Sequence, residues 1–544
     1  MLDKGPLPYA ELLAIIREEQ CAVVGFFCDH DNREAVCAVS RRLRADNPTL
    51  VMVAGGPEAT CAPHEVMTRS SIDVVVRGEG EITFCEILHH FVRGAGELPS
   101  VLGITYRAGD QVVQTPDRPP IANLDLLPIP DRNLVQGRPR GKMASICTGR
   151  GCPHRCAFCA ATVLTSKYRY RSVESVLREV DHLLEDEKTS YISIVDDTFT
   201  ADPERAVAIS HGLQRRRESG RDFVWFCEAR ADILARHPHL LPTMREAGLV
   251  RIQIGIESGN QHVLDAYRKG ITLEQIRRAI AAVVEADVPS AFGNFIIGGA
   301  HETHETVNTS IAFAQELMEL APGRLDLSTS LLAPYPGTEV SRSPHEFGLR
   351  ILDPDCATGP TEQYCFVETE ELTKWEILDA RVRFEQTCAQ TMRQLLKDRR
   401  VPESLMTQHV RLRERYGITT LWLTLCYEQT RMRAFFNLLL QDDYAHSSDI
   451  DDCDLDECHP LRTCLIGSSR NGSIILEFPD DVLEMDALGT AITELCAGKL
   501  RFTEIVDEIA RRFFPEVPKA AVRALVLDFL QDLERKYLLV WCKL

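Results

Sequence analysis

Three things are missing from this sequence, and each absence removes a class of protein. No run of about 18 apolar residues occurs, which removes a membrane-spanning helix. The opening Met-Leu-Asp-Lys-Gly-Pro-Leu-Pro carries an acid and no apolar stretch, so it does not read as a secretory signal, and a cytoplasmic location is expected. Positive charge is in the minority: 61 Lys and Arg stand against 80 Asp and Glu, for a formal charge of −19. A broadly acidic surface repels phosphate backbones, so general nucleic-acid binding is not expected. What is present is ordinary for a globular chain, with 44% hydrophobic and 26% charged residues over 544 positions. That length accommodates about three or four domains, and the composition excludes a disordered or low-complexity protein. The 19 cysteines do not suggest a disulfide scaffold, which would be short and secreted. In a reducing compartment most are small buried apolar residues, and clustered ones are candidate metal ligands.

Residues 8–130 alternate between strand and helix. Apolar runs at 21–27, 49–54 and 72–76 read as strands, and 32–44 and 84–92 as helices, which implies a parallel sheet. Gly55, Gly56, Gly78 and Gly80 follow the second and third strands. They either let a backbone approach a ligand at the carboxyl edge or only make tight turns. The proline-rich 116–130 reads as a stiff crossing segment. Residues 140–340 repeat the pattern more regularly. Strands are expected at 144–147, 191–195, 223–227, 250–256, 290–297 and 326–332, with helices such as 173–184 and 203–217 between them. Six such units suggest a partial barrel with its function at the carboxyl rim. Helices are expected at 372–397 and 420–440. Between 442 and 457 lie eight acids and no Lys or Arg, which reads as an exposed linker. The last part, 466–544, has a strand near 473–478, helices near 487–496, 503–514 and 519–536, and an apolar end at 537–541.

The sharpest local signal is Cys152-Pro-His-Arg-Cys156-Ala-Phe-Cys159, directly after a strand. The CxxxCxxC spacing is not that of the CxxC pairs of structural zinc. It lets one loop wrap three corners of an iron–sulfur cube and leave the fourth iron open, for which thiolates are suited. Otherwise the three are buried apolar cysteines. Cys147, five residues earlier, is expected to be buried. Cys453, Cys458, His459 and Cys464 have loose spacing in an acidic stretch, and no metal is expected there.

With these residues in view, 140–340 resembles the cobalamin-associated branch of the radical S-adenosylmethionine enzymes. The resemblance is carried by Arg150-Gly151-Cys152-Pro153, Asp196-Asp197-Thr198-Phe199, Glu228-Ala-Arg230, Gly255-Ile256-Glu257-Ser258-Gly259, Lys269-Gly270 and Pro334-Tyr335-Pro336-Gly337-Thr338. One departure is Gly299-Ala300-His301-Glu302-Thr303, where that branch has Gly-x-Pro-Gly-Glu-Thr. The resemblance implies that Cys152, Cys156 and Cys159 hold a 4Fe-4S cluster whose open iron binds S-adenosylmethionine. Its reductive cleavage releases a 5′-deoxyadenosyl radical. By the same resemblance Asp196 and Asp197 lie near the methionine amine, Glu228 and Arg230 face ribose or carboxylate, and the backbone at Ile256 faces adenine, with Glu257 beside it. Glu228 and Arg230 could equally be a structural ion pair, and Glu257 a helix-cap partner.

Residues 20–130 resemble the later part of a cobalamin-binding domain, through Val23-Val24-Gly25, 54–60, 73–81 and 124–130. The first strand and helix of that domain are read as absent, and so is the DxHxxG motif. Asp29-His30-Asp31 lacks the spacing, and His30 reads as a loop residue. Residues 473–541 resemble the PqqD-like winged-helix module that recognises leader peptides by strand addition. It carries Glu484-Met-Asp486, Leu495-Cys-Ala-Gly498 and Thr503-Glu-Ile-Val-Asp-Glu-Ile509. A helical cap or dimerisation tail is the plain alternative.

The expected fold class is therefore α/β. It comprises a truncated Rossmann-like cobalamin-binding domain (1–130), a partial (β/α)6 barrel (131–340), a helical extension with an acidic linker (341–465) and a small winged-helix domain (466–544). The expected function is cobalamin-dependent C-methylation of a ribosomally made peptide. A radical rearrangement, cyclisation or methylation of a small natural product or lipid, and a non-catalytic binding protein, are the rivals. The expected cofactors are a 4Fe-4S cluster, S-adenosylmethionine and cobalamin. The expected partners are a precursor peptide and an electron donor such as a flavodoxin or ferredoxin.

Overall fold

The computed structural model describes residues 8–135, 142–165, 167–185, 188–353, 364–428, 435, 438, 443–463, 475–478 and 481–543. The chain divides into two compact units, Met1–Gln394 and Leu395–Leu544. The first unit opens with a five-stranded sheet in the order β1 (Val23–Phe27), β2 (Val51–Gly55), β3 (Val74–Val76), β4 (Ile104–Ala108) and β5 (Gln111–Gln114). β1 to β3 are parallel, and β4 and β5 return antiparallel. β2 and β3 read as unbroken apolar runs because both faces are covered. Met52, Ala54 and Val75 enter one core with Val36, Leu43 and Val66. Val53, Val74 and Val76 enter another with Ile87, Ile104 and Tyr106. Helix Tyr9–Glu18 stands before β1, so the helix read as absent is present. Its signal is Tyr9, Leu12, Leu13 and Ile16 at helical spacing, all packed into the first core.

The second sheet of this unit contains β6 (Met143–Ile146), then β9 (Tyr191–Ile194), β10 (Val224–Ala229), β11 (Leu249–Glu257), β12 (Ser290–Ile297) and β13 (Leu325–Leu331) in sequential order. Every pairing is parallel. Between β6 and β9 runs a two-stranded ribbon, β7 (Gly149–Arg150) with β8 (Arg169–Tyr170). Parallel neighbours need crossovers, supplied by helices such as Val173–Glu185, Pro203–Glu218, Leu273–Glu285 and His304–Leu320. Their starts are written locally. The Thr272 hydroxyl accepts from the Gln275 N–H, and the Gln275 side chain accepts from the Thr272 N–H. All six carboxyl ends therefore fall on one edge. A hairpin, β14 (Leu349–Ile351) with β15 (Val367–Thr369), joins a core of Tyr267, Ala300, Leu332, Phe347 and Phe366.

In the second unit β20 (Leu539–Cys542) is flanked by β16 (Tyr444–Ala445) and β17 (His459–Arg462). β18 (Ile475–Phe478) and β19 (Asp481–Glu484) form a separate hairpin. Helices Ala487–Leu495, Phe502–Phe513 and Lys519–Arg535 pack around Ile492, Phe502, Ile509, Val526, Leu530 and Trp541. The acidic stretch is not an exposed linker over its described residues. Tyr444 and Ala445 pair with the last strand, Leu455 is buried, and Glu534 accepts from the Ser447 N–H at 2.9 Å. Leu455 enters the core and Ile450 packs against it, while Asp443, Asp449, Asp451, Asp454 and Glu457 stay exposed. Cys458 is buried in this unit's core; the Cys453 side chain and Cys464 lie outside the described residues, as does most of 429–440 of the expected second helix.

Candidate active site

The three-thiol loop begins at the carboxyl end of β6, and Asp196 anchors it. This buried carboxylate, at the end of β9, accepts from the Thr148 N–H at 2.6 Å and from the Thr148 hydroxyl. Burial pushes the Asp196 carboxyl up, against the opposing pull of the Thr148 donors. Asp196 thus fixes backbone and does not line the cavity, in contrast to its expected place near the methionine amine. The loop turns at Gly151, with φ +80°. A Cβ there would meet the Lys167 carbonyl at 2.8 Å and the Thr165 hydroxyl at 3.0 Å, so both conformation and space require glycine. Further along, the Ala157 N–H donates to the Tyr267 carbonyl at 2.9 Å, and Phe158 meets the Tyr267 ring edge at 4.9 Å.

Cys152, Cys156 and Cys159 open together into a cavity of about 500 Å³. Cys152 Sγ lies 3.6 Å from the Thr198 hydroxyl, and Arg230 Nη1 lies 3.9 Å from Cys156 Sγ. Burial pushes the Cys159 thiol up to about 11. Burial also raises Cys156, while the charges of Lys269 and Arg230 favour its thiolate. No three described His, Cys, Asp or Glu groups surround a single ion position. Cys147 is not buried: Ala144 and Ile146 turn inward on β6, which leaves Cys147 on the exposed side, its Sγ donating to the Gly149 carbonyl at 3.0 Å.

The remaining wall comes from the successive strand ends. Asp197 and Thr198 follow β9; Glu228 and Ala229 end β10 with Arg230 just beyond; Gln253, Gly255 and Glu257 come from β11; Asn294 and Ile296 from β12; Ser330 and Leu331 from β13, with Leu332 and Ala333 just beyond it. Tyr335 completes the wall. Arg230 does not pair with Glu228. Its Nε donates to Asp232 at 2.9 Å and its Nη2 to the Lys269 carbonyl at 2.6 Å. Glu228 is left facing the cavity. Burial, reinforced by the nearby Asp197 and Glu257 charges, pushes its carboxyl up to about 7, although Lys269 pulls the other way. Glu257, with φ +66°, accepts from Lys269 Nζ at 2.6 Å, a buried pair. The pair lies over Gly255, where a Cβ would sit 2.4 Å from Glu257 Oε1 and 2.7 Å from Lys269 Nζ. Ile256 is wholly buried and its side chain packs against Gly293, so its neighbours Gly255 and Glu257 face the cavity in its stead. In the departing turn the buried Glu302 accepts from the Gly298 and Gly299 N–H groups at 2.6 and 3.0 Å. His301 adopts φ +51° there.

The four N-terminal glycines lie outside this cavity. Gly55 ends β2 and Gly80 opens helix Gly80–Arg93. Gly56 is packed, since a Cβ would meet the Cys28 carbonyl at 2.6 Å, whereas Gly78, at φ +71°, has open space around it. Phe27, at the end of β1, is 63% exposed. An exposed ring and a bare backbone at the carboxyl edge suit a broad, partly apolar ligand. His30 lies in the turn after β1, as expected of a loop residue. Its ring lies edge-on to Tyr335 at 5.5 Å, with Nδ1 3.8 Å from Glu58. Lys269, Asn294 and Tyr335 were missed as cavity residues. For Asn294 the available signal was a polar residue inside an otherwise apolar strand.

Comparisons with known proteins identify three domains along the chain. The family model described as Radical SAM superfamily matches residues 146–314, the B12 binding domain matches 2–88, and Coenzyme PQQ synthesis protein D (PqqD) matches 473–539. An uncharacterised methyltransferase of Pyrococcus horikoshii is 32% identical over 343 residues, 61% of this chain and 72% of that protein. The anaerobic magnesium-protoporphyrin IX monomethyl ester cyclase of Rubrivivax gelatinosus is 30% identical over 280 residues, half of each chain. Among solved structures, the radical S-adenosylmethionine methyltransferase TsrM of Kitasatospora setae, with cobalamin and a [4Fe-4S] cluster bound, has a TM-score of 0.54 at 19% identity. It covers 66% of this chain and 71% of that one, and shares the fold.

Proposed function

This chain belongs to the radical SAM superfamily, with a B12 binding domain ahead of the catalytic sheet and a PqqD domain behind it, and we propose that it is a cobalamin-dependent methyltransferase acting at an unactivated carbon of a ribosomally made peptide. One observation carries the reading: three thiols share a single cavity with a carboxylate and ammonium wall. When bound, the cluster supplies an electron to S-adenosylmethionine and cobalamin supplies a transferable methyl group. Cys152, Cys156 and Cys159 hold the cluster, and Arg230 and Lys269 favour the Cys156 thiolate. Glu228 and Asp197 face the cavity as acceptors for the ribose hydroxyls and the methionine amine. Gly255 offers backbone to the adenine, and the Glu257–Lys269 pair keeps two opposite charges in place beside it. Phe158, Leu332 and Ala333 supply apolar wall that excludes water from the reacting carbon. Cobalamin is assigned to the carboxyl edge of β1 to β3, where Phe27 and Gly78 are open.

The PqqD match supports peptide capture by the second unit. Met485, Leu488, Ile492, Leu525, Phe529 and Leu533 floor an open groove between helices Ala487–Leu495 and Lys519–Arg535. Asp528, Asp532, Arg535 and Lys536 rim it. A winged-helix module with such a groove beside a hairpin can take an extended segment with apolar anchors. β20 needs β16 and β17 as partners, so the folding unit of this module is read as Leu395–Leu544 rather than 466–544. The test is anaerobic turnover with S-adenosylmethionine bearing a deuterated methyl group and the precursor peptide. Label in the peptide supports the proposal. A peptide cyclised or rearranged without label overturns methyl transfer.

A further inference from the structure

The Arg77-Gly78-Glu79-Gly80-Glu81 turn does something its glycines do not explain. Its acids reach the cluster loop. Glu79 is 13% exposed in its side chain and accepts from Arg169 through both oxygens, at 2.7 and 3.2 Å. The same carboxylate lies 3.3 Å from Arg150 Nη1 and accepts from the Ile121 N–H at 2.6 Å. Glu81 accepts from Arg150 Nη2. Arg150 and Arg169 are direct partners across the β7–β8 ribbon. Two guanidinium groups opposed on an antiparallel pair repel and would splay the ribbon, and Glu79 sits between them. Arg150 is joined to Cys152 through Gly151 alone, and Gly151 has no slack because Lys167 and Thr165 close around it. The other end of the loop also lies beside the N-terminal sheet: helix Pro57–Cys61, after β2, runs next to helix Ala161–Leu164, which follows Cys159.

We propose that Glu79, assisted by Glu81, is a positioning residue that clamps Arg150 to Arg169 and so holds Cys152 in register with Cys156 and Cys159 for cluster assembly. The N-terminal sheet thereby acts on the iron site directly, apart from any cofactor it carries. The consequence for the cluster rests on the reading of the three thiols as its ligands, while the clamp itself can be read without iron. The experiment compares the full-length chain with Glu79→Gln, Glu81→Gln and the charge-swapped Glu79→Arg/Arg169→Glu. Hydrogen exchange of the iron-free proteins should show 149–170 opening about tenfold more readily in Glu79→Gln, as loss of a charge-assisted hydrogen bond predicts. The effect should be smaller in Glu81→Gln and partly reversed in the swap. After anaerobic reconstitution, Glu79→Gln should hold less iron and give an altered electron paramagnetic resonance signal from the reduced cluster. Exchange at 149–170 unchanged from wild type in Glu79→Gln overturns the clamp. If Glu79→Gln does not fold, unchanged exchange in Glu81→Gln overturns it in the same way. Faster exchange with an identical cluster signal overturns its effect on the thiols.

Discussion

Glu228→Gln should make the iron-free protein more stable and a worse binder of S-adenosylmethionine. The Glu228 carboxyl is raised from 4.5 to about 7 by burial and by Asp197 and Glu257. A raised carboxyl is still protonated in the folded chain when the unfolded chain has lost its proton. Stability therefore falls as pH rises from the unfolded value to the folded one, and the full cost is present above it. Over that shift the linkage relation gives about 2 kcal/mol at pH 6 and about 3 kcal/mol at pH 8. These are upper values, since Glu228 is only half-buried. Glutamine keeps the shape and cannot ionise, so its advantage over the parent should grow between those two pH values. Hydrogen exchange of the 224–257 segment in urea reads the effect locally. Affinity for S-adenosylmethionine should fall about tenfold or more, because a charged acceptor is lost. An exchange difference that is flat with pH, or a variant no more stable than the parent at pH 8, refutes the reasoning.

Gly151→Ala should cost about 1–2 kcal/mol for its left-handed backbone alone. The clash with the Lys167 carbonyl adds to this and should abolish iron uptake, whereas Gly78→Ala, with open space around it, should retain iron; bound iron per chain is the check. Leu525→Glu, at a groove residue 42% exposed, should weaken capture of a precursor peptide while leaving cleavage of S-adenosylmethionine without peptide intact, measured by fluorescence anisotropy and 5′-deoxyadenosine release. His446 is penalised by burial, but its contacts with Glu534 and Glu403 outweigh that and raise its pKa. A raised imidazole stabilises fully below its unfolded value near 6.5 and loses that contribution as pH climbs through the folded value. The second unit should thus soften above that unfolded value, and His446→Gln should remove the dependence in pH-resolved hydrogen exchange.

The strand pattern was legible because parallel strands buried on both faces are written as apolar runs, and all six strands of the second sheet lie within a few residues of where the runs predict them. The thiol loop was legible from spacing alone. What was not legible depends on which way neighbours point. Asp196 and Asp197 are adjacent acids at one strand end, and only the donors of Thr148 reveal that the first is turned into the loop and the second into the cavity. Ile256 is similar: the motif names it, but strand alternation places Gly255 and Glu257 on the wall. Sequence offers Glu228 and Arg230 as a pair because they are two apart, yet Asp232 takes the guanidinium. The 442–457 stretch looked like a linker by charge, and its insertion depends on a strand nearly a hundred residues later. The Glu79 contacts with Arg150 and Arg169 are long-range in the same sense, and no local pattern announces them.

On the proposed function, the cavity at the carboxyl edge of the second sheet generates a radical on a cluster held by Cys152, Cys156 and Cys159. The most direct measurement is 5′-deoxyadenosine formation by the anaerobically reconstituted full-length chain with dithionite and S-adenosylmethionine, beside the triple Cys→Ala variant. The parent should hold about four irons per chain and form 5′-deoxyadenosine, and the variant should do neither. Equal iron and equal 5′-deoxyadenosine from both proteins would contradict it.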